Sequence, residues 1–386
     1  MKIEKDTKIL DTKQSVKIFS FNEAYVPPIY KFVKKGDLHY LSFGGDNLYP
    51  YYLLELYNNM GSSLHKAIIN KKSRLTTGFG IKPILDQSLM KWVKDNNIEQ
   101  LFKYIGKDFE LYNGFCIEVL WSRDGSTCKL NYIPLHSVRI GLKENDDDDD
   151  YFLYSTDWTQ IKKEEYKPEY IKKYDPNDRT GRQLIYYAEP NPSYSHLYPI
   201  PNYSTCLNWV SLDYEISVFH INQIKQSYTP SMLINFSTGI PTEDEMNNTW
   251  REFERNFKGT KNSGKVFLTY SDGKEQAPEI LPINLNDSDE RFIMLADQVR
   301  DQITQAHEMP QQLISFVPGK LGSTDERAAL MAEFQVYYTS TRQEQLEYVI
   351  NKVAEDLGYT EEIKLKEYSE TDRTGILTDK QEIITN

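Results

Sequence analysis

The histidines of this sequence do not fall into a catalytic or metal-binding pattern. His307-Glu308 begins like the zinc-protease motif HExxH, but the second histidine is missing and Pro310 would break the helix that has to carry it. The six histidines are scattered without the spacing of metal ligands, at His39, His65, His136, His196, His220 and His307. Their pattern predicts core or surface roles and no metal site.

Other enzyme motifs are incomplete as well. Gly319-Lys320 is similar to the end of a phosphate-binding P-loop, yet Leu321 replaces the hydroxyl residue that binds magnesium and Ile314 stands where the first glycine belongs. Neither a GxSxG nucleophile elbow nor a GxGxxG dinucleotide-binding run occurs. Because no motif is complete, we expect no catalytic residue and no cofactor, and we expect that the protein is not an enzyme.

The run Asp146–Asp150 is a strong local concentration of charge. Five adjacent carboxylates repel one another, so the run predicts a solvated loop tip. A divalent-cation site is the alternative, although the alternating ligand spacing of an EF-hand is absent. A metal-dependent nuclease or transferase that uses this loop is therefore the least favoured functional alternative.

A short basic segment follows an aromatic helical pattern. Trp250, Phe253 and Phe257 recur at helical spacing, which is more typical of a core-facing stripe than of a ligand platform. The lysines that come after them predict either a solvated face or a docking patch for a partner protein, and they are Lys258, Lys261 and Lys265.

The charge balance limits the functions that the chain can have. Its 386 residues carry 57 Asp and Glu against 45 Lys and Arg, which is a formal net charge of −12. Since tight binding to phosphates requires Lys and Arg at the contact, this balance excludes a simple DNA-binding module. No apolar run is long enough to span a membrane, and the three cysteines (Cys116, Cys128 and Cys206) fit a reducing, intracellular compartment.

Hydrophobic periodicity predicts the elements that position these residues in the first half of the chain. One helix is predicted to start near Ser62 or Ser63 and to stop at Thr77-Gly78, and a second runs from Ile98 to Tyr112 with Asn113-Gly114 as its left-handed stop. Strands are predicted at 115–121, 127–133, 138–142, 151–158 and 184–187, the first two forming a hairpin. The polar residues 159–182 predict a loop or insertion.

The order of elements in the second half is more informative than any single motif. The patterns predict a helix, a strand–helix–strand insert, a second helix, a non-periodic segment and a long helix, at 204–226, 232–271, 287–308, 311–322 and 324–357. Capping boxes at Asp287/Glu290 and Ser323/Glu326 mark the starts of the last two helices. The last helix, at about 34 residues, is well above the usual length and predicts a structural strut.

This order resembles the stem, clip, stem, tunnel loop and tunnel helix of tailed-bacteriophage portal proteins, the head–tail connectors, of the siphophage type. Four local phrases are similar to family motifs in the family's order: Leu111–Glu118 followed by Leu130–Leu135, Tyr228–Ser231 with Leu233, Trp250 to Val266, and Met309–Leu313. The similarity covers roughly residues 60–357. Ser227-Tyr228-Thr229 departs from the family's clip motif, and about 29 residues follow Leu357, which is short for a helical crown.

The resemblance implies an α+β fold with an elongated subunit. Its parts would be an α/β wing at 1–203, a stem helix at 204–226, a clip at 227–286 and a second stem helix at 287–309. A tunnel loop at 310–323, a tunnel helix at 324–357 and a wing or crown remnant at 358–386 would follow.

The resemblance also implies a function and partners. The subunits would form a cyclic homo-oligomer, dodecameric in the family's usual assembled state, at one vertex of a virion capsid assembled in the bacterial host cytoplasm. Double-stranded DNA would pass through the channel during packaging and ejection. The terminase large subunit, the major capsid protein and tail or adaptor proteins would bind the ring, and no membrane would be involved. A different phage structural or adaptor protein is the alternative.

On the residues, the resemblance implies two sites. Ser315, Lys320 and Ser323 would face DNA from the tunnel loop, and Lys258, Lys261 and Lys265 would lie on the clip as a docking site. From Asp287 onward the chain has 20 Asp and Glu against 10 Lys and Arg. An acidic wall of this kind repels DNA at close range, which suits a conduit that must not bind its cargo.

Overall fold

The computed structural model describes residues 7–9, 15–17, 30–36, 38–142, 150–190, 197–226, 230–236, 242, 244, 246–248, 251, 265–270, 286–314 and 324–367. The helices are α1 (Tyr49–Asn58), α2 (Ser63–Thr77), α3 (Gln87–Asp95), α4 (Ile98–Tyr112), α5 (Leu207–Gln226), α6 (Asn286–Ala306), α7 (Gln311–Ile314), α8 (Thr324–Phe334) and α9 (Ser340–Asp356). The strands are β1 (Thr7–Ile9), β2 (Ser15–Lys17), β3 (Phe32–Lys35), β4 (Leu38–Leu41), β5 (Gly114–Trp121), β6 (Cys128–Ile133), β7 (Val138–Ile140), β8 (Tyr151–Tyr154), β9 (Glu169–Lys173), β10 (Arg182–Ala188), β11 (Pro230–Phe236) and β12 (Lys265–Tyr270). This mixture confirms the predicted α+β class.

A six-stranded sheet is the centre of the first compact unit, which consists of residues 1–55, 67–208 and 309–386. Its strands run in the order β6-β5-β10-β9-β8-β7. Cys116 of β5 lies opposite Ile133 of β6, and Trp121 lies opposite Cys128, in an antiparallel register that confirms the predicted hairpin. Neighbouring strands are antiparallel throughout, except that β9 and β10 are parallel.

The loop predicted at 159–182 is wrong in part, because β9 lies inside this segment. The strand pairs with β10 on one side and with β8 on the other, so it belongs to the interior of the sheet. Of its five residues only Ile171 is buried, and the others, including Lys172 and Lys173, are exposed. A single inward residue leaves no hydrophobic alternation in the sequence, so the strand was not predicted.

Helix α4 covers one face of the sheet. Its predicted apolar positions Ile98, Leu101, Phe102, Ile105 and Phe109 are all buried, in one cluster with β5, β6 and α9. Burial of each such side chain stabilises the fold by roughly 1.5–3 kcal/mol. Asn113 ends the helix in the left-handed conformation, with φ of 66°, as predicted.

Two helices precede α4 that the sequence patterns did not predict. Helix α1 contains Pro50. Proline is tolerated in the first turn of a helix, but within a sequence pattern it argues against a helix. Helix α3 has a conventional start, because the Asp86 carboxylate accepts hydrogen bonds from the backbone N–H groups of Ser88 and Leu89. Helix α3 has nine residues and only about one turn of apolar side chains, which is too short to show a clear hydrophobic period in the sequence.

The second compact unit consists of residues 56–66 and 209–308. Strands β11 and β12 pair in parallel, with Leu233 opposite Phe267. A parallel pair needs a crossover, and residues 244, 246–248 and 251 between the two strands are helical, in agreement with the predicted strand–helix–strand insert. The predicted helix at 287–308 is α6.

The long helix predicted at 324–357 is continuous but not uniform. Residues Gln335–Thr339 between α8 and α9 form a π-helical turn, which inserts one extra residue into the helical repeat. The Ser340 hydroxyl donates to the Gln335 carbonyl over 2.8 Å and satisfies an acceptor at this turn. Within the described residues, no helix combines the length and the apolar character that a bilayer span requires.

Candidate functional site

Asn113 joins three segments of the first unit at the end of α4. Its backbone N–H donates to the Phe109 carbonyl, which closes the helix. Its side-chain amide donates to the Ile200 carbonyl over 3.2 Å, and its side-chain oxygen accepts from Arg342 Nη2 over 2.6 Å. The sequence predicted the stop of the helix, whereas only the fold reveals that the same residue holds α9.

Arg342 is a buried cation at the contact between α9 and α4, with 7% of its surface exposed. Its guanidinium carbon lies 3.9 Å from the centre of the Phe109 ring. Burial disfavours the charge, but nearby Tyr338 and Glu110 outweigh it and raise the pKa of Arg342 above its ordinary value. The side chain therefore stays charged and fixes how α9 sits on α4.

Glu110 is a buried carboxylate beside this cation. It accepts hydrogen bonds from the Thr76 hydroxyl over 2.9 Å and from the Tyr338 hydroxyl over 2.5 Å. The Lys72 ammonium lies over the Tyr338 ring, 4.0 Å from the ring centre. Helices α2 and α4 and the π turn are thus connected through one polar cluster.

The long helix contains a group of buried polar atoms that lack a hydrogen-bond partner among the described residues. They are Gln335 Oε1, Thr339 Oγ1, Arg342 Nη1, Gln343 Nε2 and Gln345 Oε1. An unpaired buried polar atom costs about 1–3 kcal/mol, so the π turn and the start of α9 are held in place at a cost in stability. Val336 and Tyr337, in contrast, point outward and are 65% and 78% exposed.

The outward side of α9 forms one wall of an acidic groove of about 750 Å³. Residues 359–364 form the other wall, and Asn351 fastens them through two hydrogen bonds of 2.7 and 2.9 Å with the backbone of Ile363. The charged lining residues are Glu344, Glu347, Glu355, Glu361, Glu362, Lys352 and Lys364. Tyr348 stands at the rim with 64% of its surface exposed. We call Glu344, Tyr348 and Lys352 the α9 stripe.

A second exposed stripe runs along α4. It consists of Glu99, Lys103, Tyr104 and Lys107, which we call the α4 stripe. Tyr104 is 48% exposed and stacks on Tyr132, with ring centres 5.0 Å apart. Lys103 forms a 3.2 Å ion pair with Glu99, and both side chains are more than half exposed. Sequence reasoning treated α4 only as a source of core residues and missed this face.

Asp108 links α4 to the turn that follows β6. Its carboxylate accepts hydrogen bonds of 2.9 Å from the Tyr132 hydroxyl and from the Leu135 backbone N–H. Burial outweighs these two hydrogen bonds and raises the pKa of Asp108 to about 7. The group therefore titrates near neutrality, in a structural rather than a solvent-accessible position.

Two of the histidines that are scattered in the sequence lie next to each other in the fold. In the second unit, His65 and His307 are buried together, with Nδ1 of the first 2.9 Å from Nε2 of the second. No group of three metal-ligating side chains occurs among the described residues. The three cysteines are buried, and burial raises the pKa of Cys128 and of Cys206 to about 12 and holds that of Cys116 well above its ordinary value, which disfavours the reactive thiolate.

Most predicted site residues lie outside the described residues. This holds for Ser315, Lys320 and Ser323, for Lys258 and Lys261, and for residues 146–149 of the aspartate run. Lys265 is the first residue of β12, and Asp150 pairs with Lys173 over 3.1 Å. Both predicted sites and the predicted segment boundaries stay predictions.

Comparison with known proteins bears on the fold. No family model matches the sequence. A chain in the virion of a native gene transfer agent particle has a TM-score of 0.58 and 12% identity, with 87% of both chains covered. A chain in the neck of an empty gene transfer agent particle, computed with C6 symmetry, has a TM-score of 0.54 and 12% identity, covering 81% of this chain and 83% of that chain.

A further chain comes from the neck of a native gene transfer agent particle, computed with C12 symmetry. It has a TM-score of 0.51 and 13% identity, covering 78% of this chain and 79% of that chain. This protein shares its fold with chains of these particles. The resemblance predicted from the order of elements is therefore confirmed at the level of the fold, over most of both chains.

Proposed function

We propose that this protein is a portal subunit, which forms a ring at one vertex of a phage-type particle and conducts double-stranded DNA. The observation that carries the proposal is the agreement of two independent signals. The order of elements in the sequence resembles portal proteins, and the fold matches chains of a virion and of a particle neck over most of their length. A neck computed with C12 symmetry is in keeping with a twelve-subunit ring.

In this role the protein is a structural conduit and not an enzyme. The acidic excess beyond Asp287 would line or approach the channel and keep DNA from adhering to it. Lys320, with Ser315 and Ser323, would touch the DNA backbone from the tunnel loop. The terminase large subunit and tail or adaptor proteins would dock at Lys258, Lys261 and Lys265, while the major capsid protein would hold the ring in the shell.

Ring formation tests the proposal directly. The purified full-length chain should form a closed ring with a central pore in negative-stain images, and native mass spectrometry should give its subunit number. A chain that stays monomeric at micromolar concentration in both measurements would contradict the proposal.

An adaptor of the head–tail junction is the second candidate, because neck structures contain the matching folds. The DNA content of particles assembled without this chain distinguishes a portal from an adaptor. Without a portal the particles contain no DNA, since the motor has no ring to pump through. Without an adaptor they package DNA and then lose it.

A further inference from the structure

The α4 stripe and the α9 stripe have the same spacing and complementary chemistry. Each advances four residues per step, which is about 6 Å along a helix. Glu99, Lys103 and Lys107 are successive steps on α4. Glu344, Tyr348 and Lys352 are successive steps on α9, and all three line the groove.

The charges match in one direction only. In an antiparallel alignment, Glu99 meets Lys352 and Lys107 meets Glu344, so both ends form ion pairs. The centre then brings Lys103 and Tyr104 against Tyr348. A parallel alignment would instead place Glu99 against Glu344 and Lys107 against Lys352, and like charges in direct contact repel each other.

The two stripes cannot meet within one copy of the chain. Helices α4 and α9 already pack on each other through their inner faces, where Arg342 lies over Phe109. A Cβ atom added to Gly106 of α4 would come within 3.7 Å of Leu346 of α9, so the inner faces are in close contact. The two stripes lie on exposed sides of the same pair of helices.

We propose that the α9 stripe of one subunit docks antiparallel against the α4 stripe of a second copy. This inference rests on the proposed ring function and names a contact that builds the ring. Such a contact is head-to-tail, because each copy uses two different surfaces. It leaves one unpaired stripe at each end of an open chain of subunits, and closing the ring pairs them.

The charges of the groove favour the α4 stripe as its occupant. The groove has five carboxylates against two ammonium groups, which attracts the two lysines of the α4 stripe. The ion pair between Lys103 and Glu99 does not oppose docking, because an ion pair between exposed side chains contributes little. Tyr104 and Tyr348 supply apolar area at the centre, and tyrosine is enriched in protein interfaces.

The test uses two charge reversals in the full-length chain, Lys107→Glu and Glu344→Lys. Each variant alone places like charges opposite each other at the same contact. The fraction of chain found in rings should fall about tenfold or more in each, at unchanged circular dichroism and melting temperature. Lys94→Glu, an equal charge change at an exposed position of α3, is the matched control and should form rings as the wild type does.

Mixing the two variants separates a contact between copies from an effect within one chain. When copies alternate around the ring, each new carboxylate at position 107 meets a new ammonium group at position 344, and each native pair is restored. Rings should therefore return in the equimolar mixture and also in the double variant. Alternation requires an even number of subunits, which native mass spectrometry would report.

Two results would overturn the inference while leaving the proposed function standing. One is that both single variants form rings as readily as the wild type. The other is that neither the mixture nor the double variant recovers rings. A wild-type chain that forms no ring at all would instead contradict the proposed function.

Discussion

At the scale of single residues, Asn113 has two separable roles. Its backbone adopts the left-handed conformation, and its side-chain oxygen is the acceptor for the buried Arg342 guanidinium. Glycine retains the conformation but removes the side-chain contacts with Arg342 and Ile200, whereas alanine removes these contacts and also strains the conformation. The two substitutions therefore measure the two roles independently.

We expect Asn113→Gly to lower the free energy of unfolding by about 1–3 kcal/mol, because a buried charged donor loses its partner. Asn113→Ala should cost a further 1–2 kcal/mol or so, because a side chain with a Cβ is strained in the left-handed region. Urea unfolding of both variants checks the difference. Equal stability of the glycine variant and the wild type would show that the contact with Arg342 contributes nothing.

Asp108 should make stability fall as pH rises towards neutrality. Its pKa is about 7 in the folded protein and near 3.8 in the unfolded chain, so between these values the folded state binds more protons. Stability is therefore highest below about pH 4 on account of this group, falls through the window, and is constant above pH 7. Asp108→Asn keeps an acceptor for the Leu135 N–H but cannot titrate.

The measurement is urea unfolding at pH 5 and pH 8. The wild type should lose stability between the two, and Asp108→Asn should lose less. Asp124→Asn is the control, because the pKa of Asp124 is lowered to about 2 by hydrogen bonds with Ser122 and Ser126, so this group is ionised at both pH values. The same pH dependence in Asp108→Asn and in the wild type would contradict the assignment.

At the scale of elements, the π turn decides how the long helix meets the rest of the first unit. The extra residue lets Tyr338 reach Glu110 while Val336 and Tyr337 point outward. It also places buried polar atoms where the described residues supply no partner. A regular α-helix over the same residues would present a different set of side chains to α4.

Thr339 offers a test of the cost of this arrangement. Its hydroxyl is fully buried and has no partner among the described residues. Thr339→Val replaces the hydroxyl by a methyl group of similar shape, so we expect a gain of about 1 kcal/mol in the free energy of unfolding. Thr341→Val, at an exposed position of the same helix, should change stability little. Destabilisation by Thr339→Val would mean that the hydroxyl is hydrogen-bonded in the assembled protein.

At the scale of the whole molecule, two predictions follow from the proposed ring and the DNA that would pass through it. If the protein is the proposed portal subunit, we expect Lys320→Ala to leave ring formation intact and to change the length or the retention of packaged DNA, because Lys320 would contact a phosphate in the channel. Gel analysis of the packaged genome and infectivity are the measurements, with Lys91→Ala on the surface of α3 as the control. Normal genome length and normal infectivity would contradict a DNA contact at Lys320.

The lysines of the predicted clip are the proposed docking site for the packaging motor or a tail adaptor. Reversal of Lys258, Lys261 and Lys265 to glutamate should weaken binding of the packaging motor or of a tail adaptor by about tenfold, and more at low salt, since charged rims act through long-range attraction. Pull-down and surface plasmon resonance with purified partners measure this. Unchanged affinity at low and high salt would show that the segment is only a solvated face.

The sequence by itself determined the elements with a strong local signal. Helix α4 and its stop, the β5–β6 hairpin, α6 and the long helix were predictable, because hydrophobic period and capping residues are properties of neighbouring positions. The absence of a complete enzyme motif and the order of elements were local properties too. They were sufficient for the resemblance that the shared fold then confirmed.

Only the tertiary structure decided what depends on distant positions. The membership of β9 in the sheet comes from its two neighbours and not from its own alternation. The burial of Arg342 depends on Phe109 and Asn113, more than 200 residues away in the chain. Two exposed stripes with matching charges are meaningful only once α4 and α9 are known to pack side by side. Packing across the chain, which no local period encodes, is the physical reason for this division.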